Sequence, residues 1–211
     1  MTNFLENLQN SINTGFINSE IESFENLQPK IVMNDRAAEK KILSSIIDNL
    51  LGCEEFTFSV AFLTSGGVKS LHNTFKDLEE KNVFGNVIIS DYSNFTQPEA
   101  MRKLCKFKNI KTYFLRDKKF HGKSFLFKNN NKYNLIIGSS NLTQDALSSN
   151  LEINLQVTAS DKSKIIHEIT SLNKKYIDYS IEVDTAVIDE YEKYYEEVNS
   201  KTFMKKKNNN E

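Results

Sequence analysis

The chain has no tryptophan, two prolines, seven glycines and two cysteines in 211 residues. So little proline and glycine excludes a collagen-like or low-complexity architecture. Cys53 and Cys105 fall in no metal-ligand spacing and adjoin apolar runs, which reads as two buried free thiols in a reducing compartment. No apolar stretch approaches the ~20 residues that a membrane-spanning helix needs. The opening MTNFLENLQNSINTGF lacks a basic region leading into an apolar core, so it is not a secretory signal. A cytoplasmic protein with no membrane partner is expected. Histidine is equally scarce, with His72, His121 and His167 the whole supply. No group of Asp, Glu and His has the spacing of a metal site, so neither metal nor cofactor is expected.

What is present suits one globular domain with a sizeable core: 39% hydrophobic residues, 26% charged, and a net charge of −1. The charge is unevenly spread. Eleven of the 27 Lys/Arg lie between Arg102 and Lys132, where Asp117 is the sole acid. That segment carries +10 against −11 elsewhere, a gradient that would draw a polyanion, although a solvated face of unrelated lysines is the plainer alternative.

Phe4, Leu5, Leu8 and Ile12 repeat at helical spacing, predicting a helical extension over residues 1–28. IVMN then reads as a strand, with Asn34 or Asp35 capping a helix that runs to Leu51 and closes at Gly52. EFTFSVAFL, NVIIS and IKTYFLR read as strands separated by helices, one opening at Gly66-Gly67 and one at Pro98. Two further strands, 123–128 and 133–138, flank the polar tip NNNK, and INLQVTA follows a short TQDAL helix. The expected fold is α/β: a mixed, largely parallel sheet flanked by helices, with a C-terminal helical portion. The expected divisions are an extension over 1–28, a catalytic domain over 29–182, and a C-terminal helix with a Lys/Asn tail over 183–211.

The chemistry concentrates in HGKSFLFKNNNKYNLIIGSSNLTQDALSSNLEINL. His121 and Lys123 are two apart at the start of a strand and so share a face. Gly138-Ser139-Ser140-Asn141 sits where the next strand turns towards a helix, a place where N–H groups and small polar side chains grip an anion. Glu152 lies near the start of the following strand. An imidazole that attacks phosphorus or protonates a leaving oxygen, a lysine and an asparagine that stabilise phosphoryl charge, and a carboxylate that fixes the imidazole tautomer make a coherent set for phosphoryl transfer.

This order and spacing, His-x-Lys, Gly-Ser-x-Asn fifteen residues after Lys123 and Glu152 eleven after Asn141, closely resembles the phospholipase D superfamily. NLTQDALSSNLEINL is most similar to its nuclease branch, which includes metal-independent restriction endonucleases and modules at the N-terminus of DEAD/DEAH-type helicases. EEFTFSVAFLTSGGVKSL and VIISDYSNFTQPEAMRKL also resemble the helicase-associated modules. The resemblance implies His121 as a nucleophile forming a phosphohistidine, Lys123, Ser139 and Asn141 as phosphate ligands, and Glu152 as the group orienting His121. It implies nucleic acid as substrate, DNA in preference to RNA, with a helicase domain in cis or in trans as a further partner. Many relatives carry Asp five positions after the lysine; Lys128 stands there, which weakens a lipid-directed reading.

The superfamily reaction uses two histidines and the motif occurs once, so a homodimer that shares one site is expected. His72 and His167 have no lysine two residues on and read as helix-surface residues. The rival is a non-catalytic nucleic-acid-binding or dimerisation module. Ser65-Gly66-Gly67 could hold a second phosphate or be a plain turn. Tyr92, Phe95 and Phe120 could stack on bases or belong to the core. The acidic, aromatic YEKYYEEV reads as packing or dimer surface.

Overall fold

The computed structural model describes residues 29–116 and 118–208. The helix expected within 1–28 lies outside the described residues. Eight strands form one sheet: β1 (Lys30–Val32), β2 (Glu55–Val60), β3 (Phe84–Ser90), β4 (Ile110–Leu115), β5 (Lys123–Asn129), β6 (Lys132–Gly138), β7 (Asn154–Ser160) and β8 (Ile181–Glu182). The helices are α1 (Ile42–Leu51), α2 (Ser65–Ser70), α3 (His72–Glu80), α4 (Pro98–Leu104), α5 (Gln144–Ser148), α6 (Lys164–Asp178) and α7 (Thr185–Asn208).

The strand order is β1-β7-β6-β5-β2-β3-β4-β8. The sheet is mixed, as expected, but its balance differs from a largely parallel one: among the described strands only β2–β3 and β3–β4 pair in parallel. The helical crossovers after β2 and β3 enforce those two pairings, whereas the short tip between β5 and β6 permits only an antiparallel hairpin. The order reverses at β2, whose neighbours are β3 on one side and β5 on the other.

One face of the sheet holds the main core. Phe56 and Phe58 from β2 meet Phe75 of α3 and Phe125 and Phe127 of β5, with ring centroids 4.9–6.5 Å apart. On the α1 flank Ile42, Ile46 and Leu50 are buried every fourth residue. The opposite face is covered by α6 through Ile166 and Ile169 against Leu126 and Leu135. The expected boundary at residue 183 does not follow an edge of the core, because Ile188 and Tyr191 of α7 are buried within it.

α1 begins later than the capping signal suggested. Asp35 Oδ1 accepts from the Ala37 and Ala38 N–H groups, closing a turn whose ends bridge Asp35 to Lys40. Asn34 still caps the helix, but from a distance: its Oδ1 accepts from Ile42 N–H at 3.0 Å while its Nδ2 donates to the Ala146 and Asn150 carbonyls. Cys53 is buried, with its thiol pushed up to about 11 by loss of solvation. Cys105 is exposed, contrary to expectation, because it caps the outer end of α4. His72 and His167 are both on the surface. Among the described residues no helix is long and apolar enough to cross a membrane.

Candidate active site

The ends of β2 and β6 and the starts of β5 and β7 share one edge of the sheet, since Val60 pairs with Lys123 and Gly138 with Asn154. Every residue of the expected constellation lies there. His121 is exposed just before β5, and Lys123, its first residue, is only 9% exposed. The Lys123 ammonium lies 2.9 Å from His121 Nδ1 and 3.0 Å from Nε2, and donates to the His121 carbonyl at 2.9 Å. Its proton affinity is lowered by burial and partly restored by the Glu152 carboxylate. An anion arriving at the ammonium would favour the charged form further.

The turn after β6 is rigidly built. Ser140 is fully buried, receiving Asn154 Nδ2 on its hydroxyl at 2.9 Å and giving its N–H to Asn154 Oδ1. Asn154 also donates to the Val32 carbonyl, tying β1 into the same turn. Asn141 Oδ1 accepts from Phe62 N–H at 3.0 Å, which fixes the amide and leaves its Nδ2 with no protein partner among the described residues. Ser139 is exposed and donates its hydroxyl to Glu152 Oε2. The hydrogen bonds of Glu152 within one protomer therefore run to Ser139, and none of those described runs to His121.

Gly67 and Gly138 are requirements of close approach. A Cβ on Gly67 would stand 2.0 Å from the Leu142 carbonyl oxygen, and one on Gly138 would stand 2.3 Å from that of Ile153. The Gly66-Gly67 pair thus lets α2 press against the 138–143 turn, where Leu142 bridges Leu63, and this packing accounts for it without a second phosphate. Gly67→Ala is expected to lower the melting temperature by about 5–10 °C, from an overpacking cost of about 1–3 kcal/mol. Differential scanning calorimetry reads it directly. An unchanged transition would show that the turn yields freely.

The aromatic residues divide. Phe120 is buried against Tyr176 of α6 at 4.9 Å and belongs to the core. Tyr92 instead meets the His121 ring at 5.1 Å, and Phe62, which sequence reasoning passed over, meets it at 5.6 Å. Phe62 is the second residue beyond β2 at the reversal point of the strand order, a position that could have flagged it. Phe62 also lies 5.8 Å from the Lys123 ammonium, within cation–π range.

The basic segment 102–132 is partly neutralised from within. Arg102 pairs with Asp189 and Glu192, and Arg116 with Glu190, all on α7. Lys111 pairs with Glu182 and Lys128 with Glu55. Lys118 and Lys119, close to His121 along the chain, are exposed and make no described salt bridge; the same holds for Lys106, Lys108 and Lys132, so the charge that remains is spread beyond the site.

A mixed sheet whose one edge collects His-x-Lys, Gly-Ser-x-Asn and a carboxylate defines a member of the phospholipase D superfamily in its nuclease branch, a hydrolase of phosphodiester bonds. Residues 62–185 match the family described as NgoFVII restriction endonuclease N-terminal PLD domain, and the chain belongs to that family. The matched span includes His121, Lys123, Ser139, Asn141 and Glu152. Among solved structures, NucT from Helicobacter pylori is 17% identical with a TM-score of 0.60, aligned over 74% of this chain and 99% of its own. Nuc from Salmonella typhimurium, a phospholipase D family member, is 13% identical with a TM-score of 0.58, over 75% and 100% of the two chains. A phosphatidylserine synthase from Haemophilus influenzae is 12% identical with a TM-score of 0.58, over 83% of this chain and 47% of its own. These identities speak for the fold. No curated protein matches the chain.

Proposed function

We propose that the chain cleaves nucleic-acid phosphodiesters, DNA in preference to RNA, without a metal ion and through a covalent phosphohistidine. The observation that carries this reading is the contact of the Lys123 ammonium with both ring nitrogens of His121, at the same edge as an Asn141 Nδ2 that has no protein partner among the described residues. A phosphodiester placed between them would draw the ammonium onto its oxygens and free an imidazole lone pair. That nitrogen attacks phosphorus as the P–O bond to the leaving nucleoside breaks, and the departing oxygen takes a proton from a second imidazole. Water then attacks phosphorus, gives its proton to that second imidazole, and displaces His121. Lys123 and Asn141 carry the charge that builds on the equatorial oxygens. Ser139 and Glu152 lie at the same edge of the sheet, and Glu152 acts as the positioning carboxylate.

The second imidazole is the His121 of another copy. His72 and His167 lie on α3 and α6, away from this edge, so one protomer supplies a single usable ring. The surface around Glu152 supports self-association. Its neighbours Leu151 and Ile153 are 98% and 64% exposed, and Ile31, Leu155 and Ile137 continue an apolar row across β1, β7 and β6 that α6 leaves uncovered. A partner seated on Leu151 and Ile153 arrives at the catalytic edge. The family to which the chain belongs favours a restriction setting over the helicase-linked one.

Cleavage of plasmid and of labelled oligonucleotides is expected to persist in excess EDTA. Rapid denaturation under alkaline conditions should trap label on the protein, and mild acid should release it. Loss of cleavage in EDTA with recovery on adding a divalent cation would overturn the metal-free reading. Salt-sensitive binding without cleavage or trapped label would leave a binding module instead.

A further inference from the structure

The turn that joins β3 to α4 is held more firmly than a connection requires. Ser93 and Asn94 sit at φ 56° and 55°, in the left-handed region that non-glycine residues enter at a cost. The surroundings enforce it. Tyr92 N–H donates to Ser90 Oγ, Asn94 N–H to the Asp91 carbonyl at 2.9 Å, and the Thr96 hydroxyl to the Ser90 carbonyl at 2.7 Å. The Thr96 carbonyl accepts from Tyr191 of α7 at 3.0 Å, and Gln97 N–H donates to the Leu63 carbonyl at 2.9 Å.

The product of this bracing is an outward-facing ring. Phe95 is 60% exposed, yet its ring lies 4.9 Å from Phe62, which in turn lies 5.6 Å from His121. Tyr92 and Phe62 are within 18° of parallel at 6.3 Å. The three rings thus make a continuous aromatic surface that ends on the catalytic imidazole, with Lys118 and Lys119 exposed beside it.

We propose that Phe62, Tyr92 and Phe95 form a platform on which the nucleobase beside the scissile phosphate stacks, and that Phe95 selects an unpaired base. The inference rests on the nuclease reading and adds its substrate class. A base within a duplex already has both faces covered, so only single-stranded or locally opened nucleic acid can lay one on these rings. Continuity with His121 argues for a base as the occupant, because a phosphate held by Lys123 brings its own nucleoside to that surface.

The test uses the full chain, wild type and with Phe95→Ala or Phe95→Leu. Three substrates are compared: a single strand, the same strand with an abasic residue beside the cleaved bond, and the matching duplex. Phe95→Ala should lose about 10- to 100-fold on the intact single strand and less than about threefold on the abasic strand, the size of one base stack. Phe95→Leu should fall between. A 2-aminopurine at the flanking position should be quenched on binding to His121→Ala and should brighten when Phe95→Ala is added. Equal losses on intact and abasic strands would overturn the platform, as would a Phe95→Ala chain that no longer dimerises, which would assign the ring to the subunit contact. Phe95-dependent quenching without any cleavage would uphold the platform and sink the nuclease reading. Cleavage without quenching would do the reverse.

Discussion

His121→Ala is expected to lower cleavage by about a thousandfold or more, because in the proposed mechanism it removes the nucleophile and, by symmetry, the acid in one change. The sharper form of the experiment mixes subunits. If two His121 rings serve one shared site, a dimer with a single alanine is as dead as one with two. After exchange, activity should follow the square of the wild-type fraction, so that an equal mixture keeps about one quarter of the original rate. A linear decline to one half would mean that each protomer works alone, and the second imidazole would have to be sought elsewhere. The trapped phosphoprotein should disappear along the same curve.

The second large effect is expected from Ile153→Lys. Ile153 is 64% exposed in one protomer, so the substitution leaves the fold of the protomer intact. In a dimer built on the row through Ile31, Ile137 and Leu155 it would bury a lysine without a partner. A buried, uncompensated charge costs about 3–5 kcal/mol, which raises the dissociation constant by about two to four orders of magnitude. Sedimentation velocity should show monomers, and cleavage should fall with them and recover in part at high protein concentration. A monomer that cut at the wild-type rate would refute the shared site.

Much of this molecule could be read in its sequence, and the exceptions have physical causes. The β2, β3 and β4 runs, the start of α4 at Pro98 and the hairpin across NNNK all followed from local patterns, because each rests on a strong short-range signal. The start of α1 did not, since Asp35 satisfied its own turn and Asn34 reached Ile42 across a loop. The preponderance of antiparallel pairing was equally hidden, because it depends on which neighbour β5 takes rather than on its composition.

The candidate site was legible in its members and less so in its contacts. His121, Lys123, Ser139, Asn141 and Glu152 do gather at one edge, but Ser139 is the partner of Glu152 and Phe62 is the anchor of Asn141. The Phe62–Asn141 pairing joins segments 79 residues apart, where spacing carries no information. The basic segment misled in a similar way. Its charge is real, yet Arg102 and Arg116 are turned towards the acids of α7 rather than towards a ligand.

That pairing gives α7 a mechanical character. A helix of 24 residues is a rod about 36 Å long, and this one is fastened at its near end by Ile188, by the two arginine contacts and by Tyr191. The Tyr191 hydroxyl grips the Thr96 carbonyl, one peptide away from Phe95. A torque applied to the far end of the rod would be delivered through Tyr191 to two places at once: to the strained turn at Ser93 and Asn94 by way of Thr96, and to β4 by way of Phe114, whose ring lies 4.8 Å from that of Tyr191.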